Sequence, residues 1–233
     1  MMNLLTTRPH DMATDANAQA FIMQQMLMSN TFITVAVVSD VSEDGSLVSV
    51  KPMVEGFTGA GDRIPKNIIY GVPVWRLQRG ASAVVMPPVV GDIGLILMCD
   101  RDISGVKATK EPSLPGSNRT HNYADAIYLG GVLNSEPTQY VSFKSDGIDI
   151  VSPLSVTVSA PVVQINAESS LTLSSGNIVL DGPVKQGSGS NKGDFNFGGN
   201  ITAVGEVTGK GIKLSTHTHG GVQSGNSDTQ GPK

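Results

Sequence analysis

The sequence has a single cysteine, Cys99, so no internal disulfide can form and no oxidising compartment is implied. Aromatic residues make up 5% of 233 residues, too few for a large aromatic core or for a stacking platform along a single nucleic-acid strand. Lys and Arg number 16 against 20 Asp and Glu, and the resulting charge of −4 gives no electrostatic footprint for nucleic acid. No apolar run approaches the roughly 18 residues of a membrane-spanning helix. The start, Met1-Met2-Asn3-Leu4-Leu5-Thr6-Thr7-Arg8-Pro9, lacks an adequate apolar segment for a signal peptide, so the chain is expected to meet a membrane only if carried there. What is abundant is punctuation. Twenty-seven glycines and 13 prolines, with 39% apolar residues, make a β-rich and turn-rich composition.

Thr14-Asp15 can cap a helix running to about Ser29, with Phe21, Ile22, Met26 and Ser29 at helical spacing. Met23, Leu27 and Met28 widen its apolar stripe, which either packs on its own domain or docks into a neighbouring protein. Methionines suit an adaptable contact surface. From Phe32 the period becomes two. Phe32–Val38 and Leu47–Val54 flank Asp44-Gly45, a strong hairpin signal. Further strands are expected at Tyr70–Leu77, Gly94–Cys99, Ala126–Leu129 and Tyr140–Phe143. So many short strands in about 110 residues suggest a small barrel such as an OB-fold. Trp75 is read as core rather than as a ligand shelf, and Cys99 as packing at a strand end. In the polar loop from Arg101 to Asp125, the residues Arg119, His121, Tyr123 and Asp125 can be taken for a catalytic cluster. No nucleophile motif or second carboxylate stands near them, so the loop is read as structural, held by Arg–Asp contacts, and the chain as no enzyme.

Past Ser145 the texture changes. From Val151 to Leu180 the only charged residue is Glu168, against nine serines and threonines. Leu154-Val156-Val158, Val163-Ile165, Leu171-Leu173 and Ile178-Leu180 are short alternations about eight residues apart, the pattern of a β-solenoid. About 70 residues make only about three coils of a single-chain helix, near the lower limit. Three intertwined chains solve this, because each supplies one wall of a prism. At roughly 4.8 Å per strand layer, the octets would build a rod on the order of 40 Å long. Gly182–Asn200, with six glycines in nineteen residues, interrupts the pattern. Alternation resumes at Phe195-Phe197, Ile201, Val204 and Val207, then enters Ile212-Leu214.

There the chain reaches Ser215-Thr216-His217-Thr218-His219-Gly220-Gly221, which holds two of its four histidines. Strand parity groups Ile212, Leu214, Thr216 and Thr218 on one face and Lys213, Ser215, His217 and His219 on the other. A bulge or turn near Ser215-Thr216 is therefore needed to bring His217 and His219 inward, and either way the two point the same way as each other. Two imidazoles are too few for a metal. His10 and His121 are isolated in sequence and no acid lies near the pair. Three copies about a threefold axis would gather six imidazoles, an octahedral set for a first-row transition metal. The alternative is a solvated histidine-rich tail. A cupin-like metalloenzyme is disfavoured, because only Asp228 and no further histidine follow His219.

The order of these parts resembles the central, membrane-piercing baseplate spikes of contractile-tailed bacteriophages. The resemblance rests on Ser215-Thr216-His217-Thr218-His219-Gly220-Gly221-Val222-Gln223 with the Gly/Ser/Asn-rich end, and on Arg119–Ala126. It implies an all-β fold: an N-terminal OB-fold barrel followed by an intertwined trimeric β-helix with a metal-capped tip. The corresponding domains are 1–30 (docking helix), 31–145 (OB-fold), 146–214 (β-helix) and 215–233 (tip). It further implies one iron ion per homotrimer, held octahedrally by six histidines, His217 and His219 of each chain. The implied place is the tip of the virion's tail baseplate, the partners a baseplate hub protein and the host outer membrane, with no nucleic acid. Sheath contraction would supply the work of piercing. A metal held by all three chains would close a rod end that otherwise frays, and acid should loosen it. The rival reading is an OB module that binds glycan or a tail partner, with the rest a passive β-stalk.

Overall fold

A computed structural model describes residues 9–58, 61–187, 189–191, 193–218, 221 and 225. The chain divides into two compact units, Met1–Val158 and Ser159–Lys233. In the first, helix α1 (Asp15–Ser29) begins where Thr14 predicts, the Thr14 hydroxyl accepting from Asn17 N at 3.2 Å. None of its residues is buried, and Ile22, Met23, Met26, Leu27 and Met28 are exposed. The helix does not pack its apolar residues into its own domain.

The strands follow as β1 (Ile33–Val41), β2 (Leu47–Pro52), β3 (Gly56–Phe57), β4 (Arg63–Ile64), β5 (Ile69–Pro73), β6 (Leu77–Arg79) and β7 (Ser82–Val84). After them come β8 (Ile93–Met98), helix α2 (Ser104–Thr109), β9 (Ala126–Gly131), β10 (Tyr140–Phe143) and β11 (Ile148–Val151). Five of these form one antiparallel sheet in the order β5-β2-β1-β8-β9. The β1–β2 connection is the Asp44-Gly45 turn: Gly45 takes φ +63°, and Asp44 Oδ1 accepts from Ser42 Oγ, Ser46 N and Ser46 Oγ within 3.0 Å. Those bonds, from Ser46 first and Ser42 next, hold the Asp44 carboxyl down at about 2.

The two edges of the sheet approach each other. Val74, just past β5, makes a parallel bridge to Tyr128 of β9, and Trp75 N donates to Tyr128 O at 2.8 Å. The sheet is thereby curled into a half-barrel, and alternate residues fill its concave side. Ala36, Val38, Val48, Val50, Val72, Ile96, Met98, Ala126 and Tyr128 form the core. They have the period-two parity that the sequence shows. Trp75 is a correction: it is 54% exposed, because it follows the last residue of β5 and leaves the sheet beside the exposed β6–β7 hairpin. Helix α2, inside the loop read as wholly irregular, was not foreseen. Two short hairpins accompany the sheet, β3–β4 and β6–β7, and β10–β11 forms another with Tyr140 opposite Val151.

The second unit differs in kind. From Ser159 to Val207 there is no strand among the described residues. Every large apolar side chain from Val162 to Leu214 is at least 47% exposed, Val207 being the least. Among the described residues, regular structure returns in a hairpin, β12 (Thr208–Gly209) with β13 (Ile212–Lys213).

The tightest approach at a glycine in the half-barrel is at Gly94. A Cβ on Gly94 would lie 2.3 Å from the Tyr128 hydroxyl and 2.4 Å from Gly130 O. Gly94→Ala must therefore displace both the largest core side chain and backbone. It should lower the stability of this unit by about 1–3 kcal/mol, read as a lower denaturant midpoint at unchanged slope. An unchanged midpoint would contradict the packing described.

Candidate metal centre

The C-terminal histidines are prepared by the hairpin before them. Lys210 and Gly211 both take positive φ, 48° and 83°, between the pairs Gly209↔Ile212 and Thr208↔Lys213. That is a two-residue turn of the mirror-image kind that suits strand twist. Leu214 N extends the ladder by donating to Val207 O at 2.9 Å. The chain then turns over Leu214–Thr216, where strand parity requires a turn if the histidines are to change face.

His217 leaves that turn with its Nδ1 2.9 Å from Leu214 O. A carbonyl can only accept, so Nδ1 is the donor in this contact, and in a neutral imidazole the lone pair then lies on Nε2. Bonds of this kind orient imidazoles that ligate metals. The donor chemistry thus fits a transition metal at Nε2 of His217. His219 lies outside the described residues. Among the described residues no group of three or more His, Cys, Asp or Glu is placed to hold a metal, so one chain's described residues do not make a site.

The other two histidines are elsewhere. His10 Nε2 lies 3.1 Å from Asp11 Oδ1 in an N-terminal 3-10 turn. His121, at φ 45°, lays its ring 4.4 Å from that of Phe32, with Nδ1 buried and 3.8 Å from Asp100. Along the sequence no acid lies near the pair; the fold brings one to Ser215, two residues before His217. The hairpin brings Glu206, eleven residues before His217, onto Ser215, whose amide donates to it at 3.2 Å and whose hydroxyl also donates to it. Those bonds hold the Glu206 carboxyl below its ordinary range. The signal was present as a Glu and a Ser flanking a Lys-Gly turn, but their pairing depends on the register.

The Arg119–Asp125 loop is the other candidate, and its four residues do not converge. Arg119 Nε donates to Asp125 Oδ2 at 2.6 Å, and its NH2 to Asp125 Oδ1 at 3.0 Å and Asp102 Oδ1 at 2.8 Å. Asp125 is 1% exposed and Asp102 6%. Ile103 N donates to Asp125 and Ser104 N to Asp102, so the two carboxylates also take amides at the start of α2. Ser117 Oγ donates to Asp102 at 2.7 Å. Tyr123 turns away to Thr31 Oγ1, 3.3 Å distant. This is a buried, satisfied Arg–Asp clasp of the structural kind expected. Asp102 was missed, since nothing in Cys99-Asp100-Arg101-Asp102 tells which acid turns inward. Cys99 follows β8, its amide donating to Asp125 O at 3.0 Å, and burial pushes its thiol up.

Comparison with known proteins agrees with this division. Residues 33–131 match the family model of the phage protein Gp138 N-terminal domain, and residues 211–233 that of the GpV Apex motif. No curated protein matches the chain. Both families are structural components of phage baseplate spikes, so the resemblance holds at the half-barrel and at the apex, and the chain has a structural place at the virion's tail tip.

The clasp predicts a pH dependence. Ser104 first, then Ser117 and the Arg119 charge, hold Asp102 at about 2, while the Arg119 hydrogen bond foremost lowers Asp125. A carboxyl lowered on folding stabilises above its unfolded value, about 3.9, and loses that contribution as pH falls through the folded one. Stability of the half-barrel should be level above about pH 5 and decline as pH falls from about 4 towards 2. In Arg119→Leu, whose wild-type clasp is broken, the decline should be shallower from a lower plateau. A chemical-denaturation series across pH checks both, and parallel profiles for the two proteins would contradict the clasp's role.

Proposed function

We propose that this chain forms a homotrimeric spike at the tip of a phage tail and pierces the host outer membrane mechanically during contraction, without catalysis. The observation that carries it is the second unit's wet apolar surface. Burial of such a side chain is worth about 1.5–3 kcal/mol, so leaving this many in water forgoes more than the roughly 5–15 kcal/mol by which a whole domain is stable. The backbone of the same stretch has no strand ladder among the described residues, and buried amides need partners. Other copies of the same chain satisfy both needs, each strand laddering with its neighbours and turning Leu154, Val156, Leu171, Leu173 and their like inward. A trimeric β-helix over 146–214 is the arrangement that the eight-residue alternation favours.

The remaining parts fit that reading. The strand order β5-β2-β1-β8-β9, with a parallel bridge from beyond β5 back to β9, supports an OB-fold barrel over 31–145. The exposed apolar helix within 1–30 supports docking to the baseplate hub protein. At 215–233, His217 and His219 from three chains would hold one iron ion through six imidazoles. That ion, when bound, supplies a coordination cross-link among the chains. Leu214 O, by fixing the proton on Nδ1 of His217, leaves Nε2 as its donor. A blunt or fraying end would spread the contraction force over more lipid, so a narrow tip tied by three chains suits mechanical entry.

The glycan- or partner-binding alternative has one favouring observation, the exposed Trp75 in a cleft of about 360 Å³ that it shares with Leu77, Val84, Met86 and Pro87. Elemental analysis of the purified full chain, with its mass by light scattering, separates the readings. One iron per three chain masses is expected, and His217→Ala with His219→Ala should lose the iron while keeping the trimer, with a lower melting temperature at the apex. Unchanged melting would favour the passive stalk, and a metal-free monomer would contradict the spike.

A further inference from the structure

Between Phe195 and Thr218 the chain carries one acid, Glu206, and it spends both hydrogen bonds from Ser215 on that acid. The placement follows from the turn. Lys210-Gly211 closes β12 on β13, Leu214 N pairs with Val207 O at 2.9 Å, and the next residue out on each side is Glu206 and Ser215. That level is a non-hydrogen-bonded one of the antiparallel ladder, so the Ser215 amide has no backbone partner across the hairpin; the Glu206 side chain takes it, just where the chain turns over Leu214–Thr216. His217 hangs from that turn by its bond to Leu214 O. The bond that the imidazole makes to the hairpin thus starts at Leu214, next to the Ser215 that Glu206 holds.

We infer that Glu206 is a positioning residue for the apex metal, a latch that fixes the Ser215 turn and thereby the direction in which His217 presents Nε2. This rests on the metal-tip reading above. Strand parity alone would leave His217 on the face of Lys213, opposite Ile212 and Leu214; the latched turn breaks that parity. A charged acceptor suits the task, because bonds from an amide and a hydroxyl to a carboxylate are roughly twice as strong as neutral ones. The residue does not touch the ion, and its effect travels through Ser215 to the orientation of an imidazole.

The test compares the wild-type trimer with Glu206→Ala, Glu206→Gln and Ser215→Ala, each purified as the full chain with iron. Three quantities are read: trimer mass, the rate of iron loss to a chelator, and the electron paramagnetic resonance spectrum of the ferric form. Outer-sphere partners of this kind change metal affinity by about 10- to 100-fold when removed. Glu206→Ala should keep trimer mass, lose iron at least about tenfold faster, and broaden the ferric spectrum. Glu206→Gln, which retains an accepting oxygen, should recover most of the retention. Ser215→Ala should fall between, since the amide bond remains, and keeps the test open should Glu206→Ala fail to assemble. Iron held as tightly by Glu206→Ala as by wild type, with the same spectrum, overturns the latch and leaves the metal tip standing. A wild-type trimer without iron overturns both.

Discussion

Backbone amides and carbonyls must be paired once they leave water, and this requirement governs the chain from Ser159 to Val207. A segment that alternates leucine, valine and isoleucine with serine and threonine is built for a sheet, yet among the described residues of one chain it pairs with no strand. The first unit shows the contrast. There β1, β2, β5, β8 and β9 find one another within 100 residues, and a core of small aliphatics with Tyr128 closes over them. Both stretches have period-two patterning. They differ in where the complementary strand comes from, and for the second the proposed source is other copies of the same chain.

That division assigns different mechanical duties to different interactions. In the half-barrel, rigidity comes from local contacts: the Asp44 turn, the Tyr128 ring over Gly94 and the Arg119 clasp on two buried aspartates. In the proposed rod it would come from ladders between chains, which gain their strength only on assembly. The end of such a rod is its weak point, since the last layer has neighbours on one side only. The β12–β13 hairpin, the Glu206–Ser215 bonds and His217 all lie within the last described residues before that end. Three levels of closure, backbone, side chain and metal, would then act at the place with the greatest tendency to fray.

Much of this was legible in the sequence, for physical reasons that also mark where legibility ended. Thr14 announced α1, Asp44-Gly45 announced the first hairpin, and alternation announced β1, β2, β8 and β9, because each signal is local. Arg119 and Asp125 were expected to hold their loop through an Arg–Asp contact, and that contact is present. Trp75 was misread because an aromatic that follows Val72-Pro73-Val74 looks like core, whereas its position past the end of β5 decides its exposure. Asp102 and Glu206 were invisible as partners, since a carboxylate's role depends on tertiary approach or on hairpin register that composition does not encode. The turn over Leu214–Thr216 was legible only as a condition on His217, and His219 lies outside the described residues.

The central claim is that the strand ladder of 159–207 is completed by other copies of the chain. Hydrogen–deuterium exchange of the full-length protein at neutral pH reads that ladder directly. Amides in peptides from 159–180 should exchange over hours, as slowly as those of β1 and β8 in the half-barrel core. Complete exchange of those peptides within seconds, while β1 and β8 remain protected, would mean that the segment stays unpaired in solution and would contradict the account.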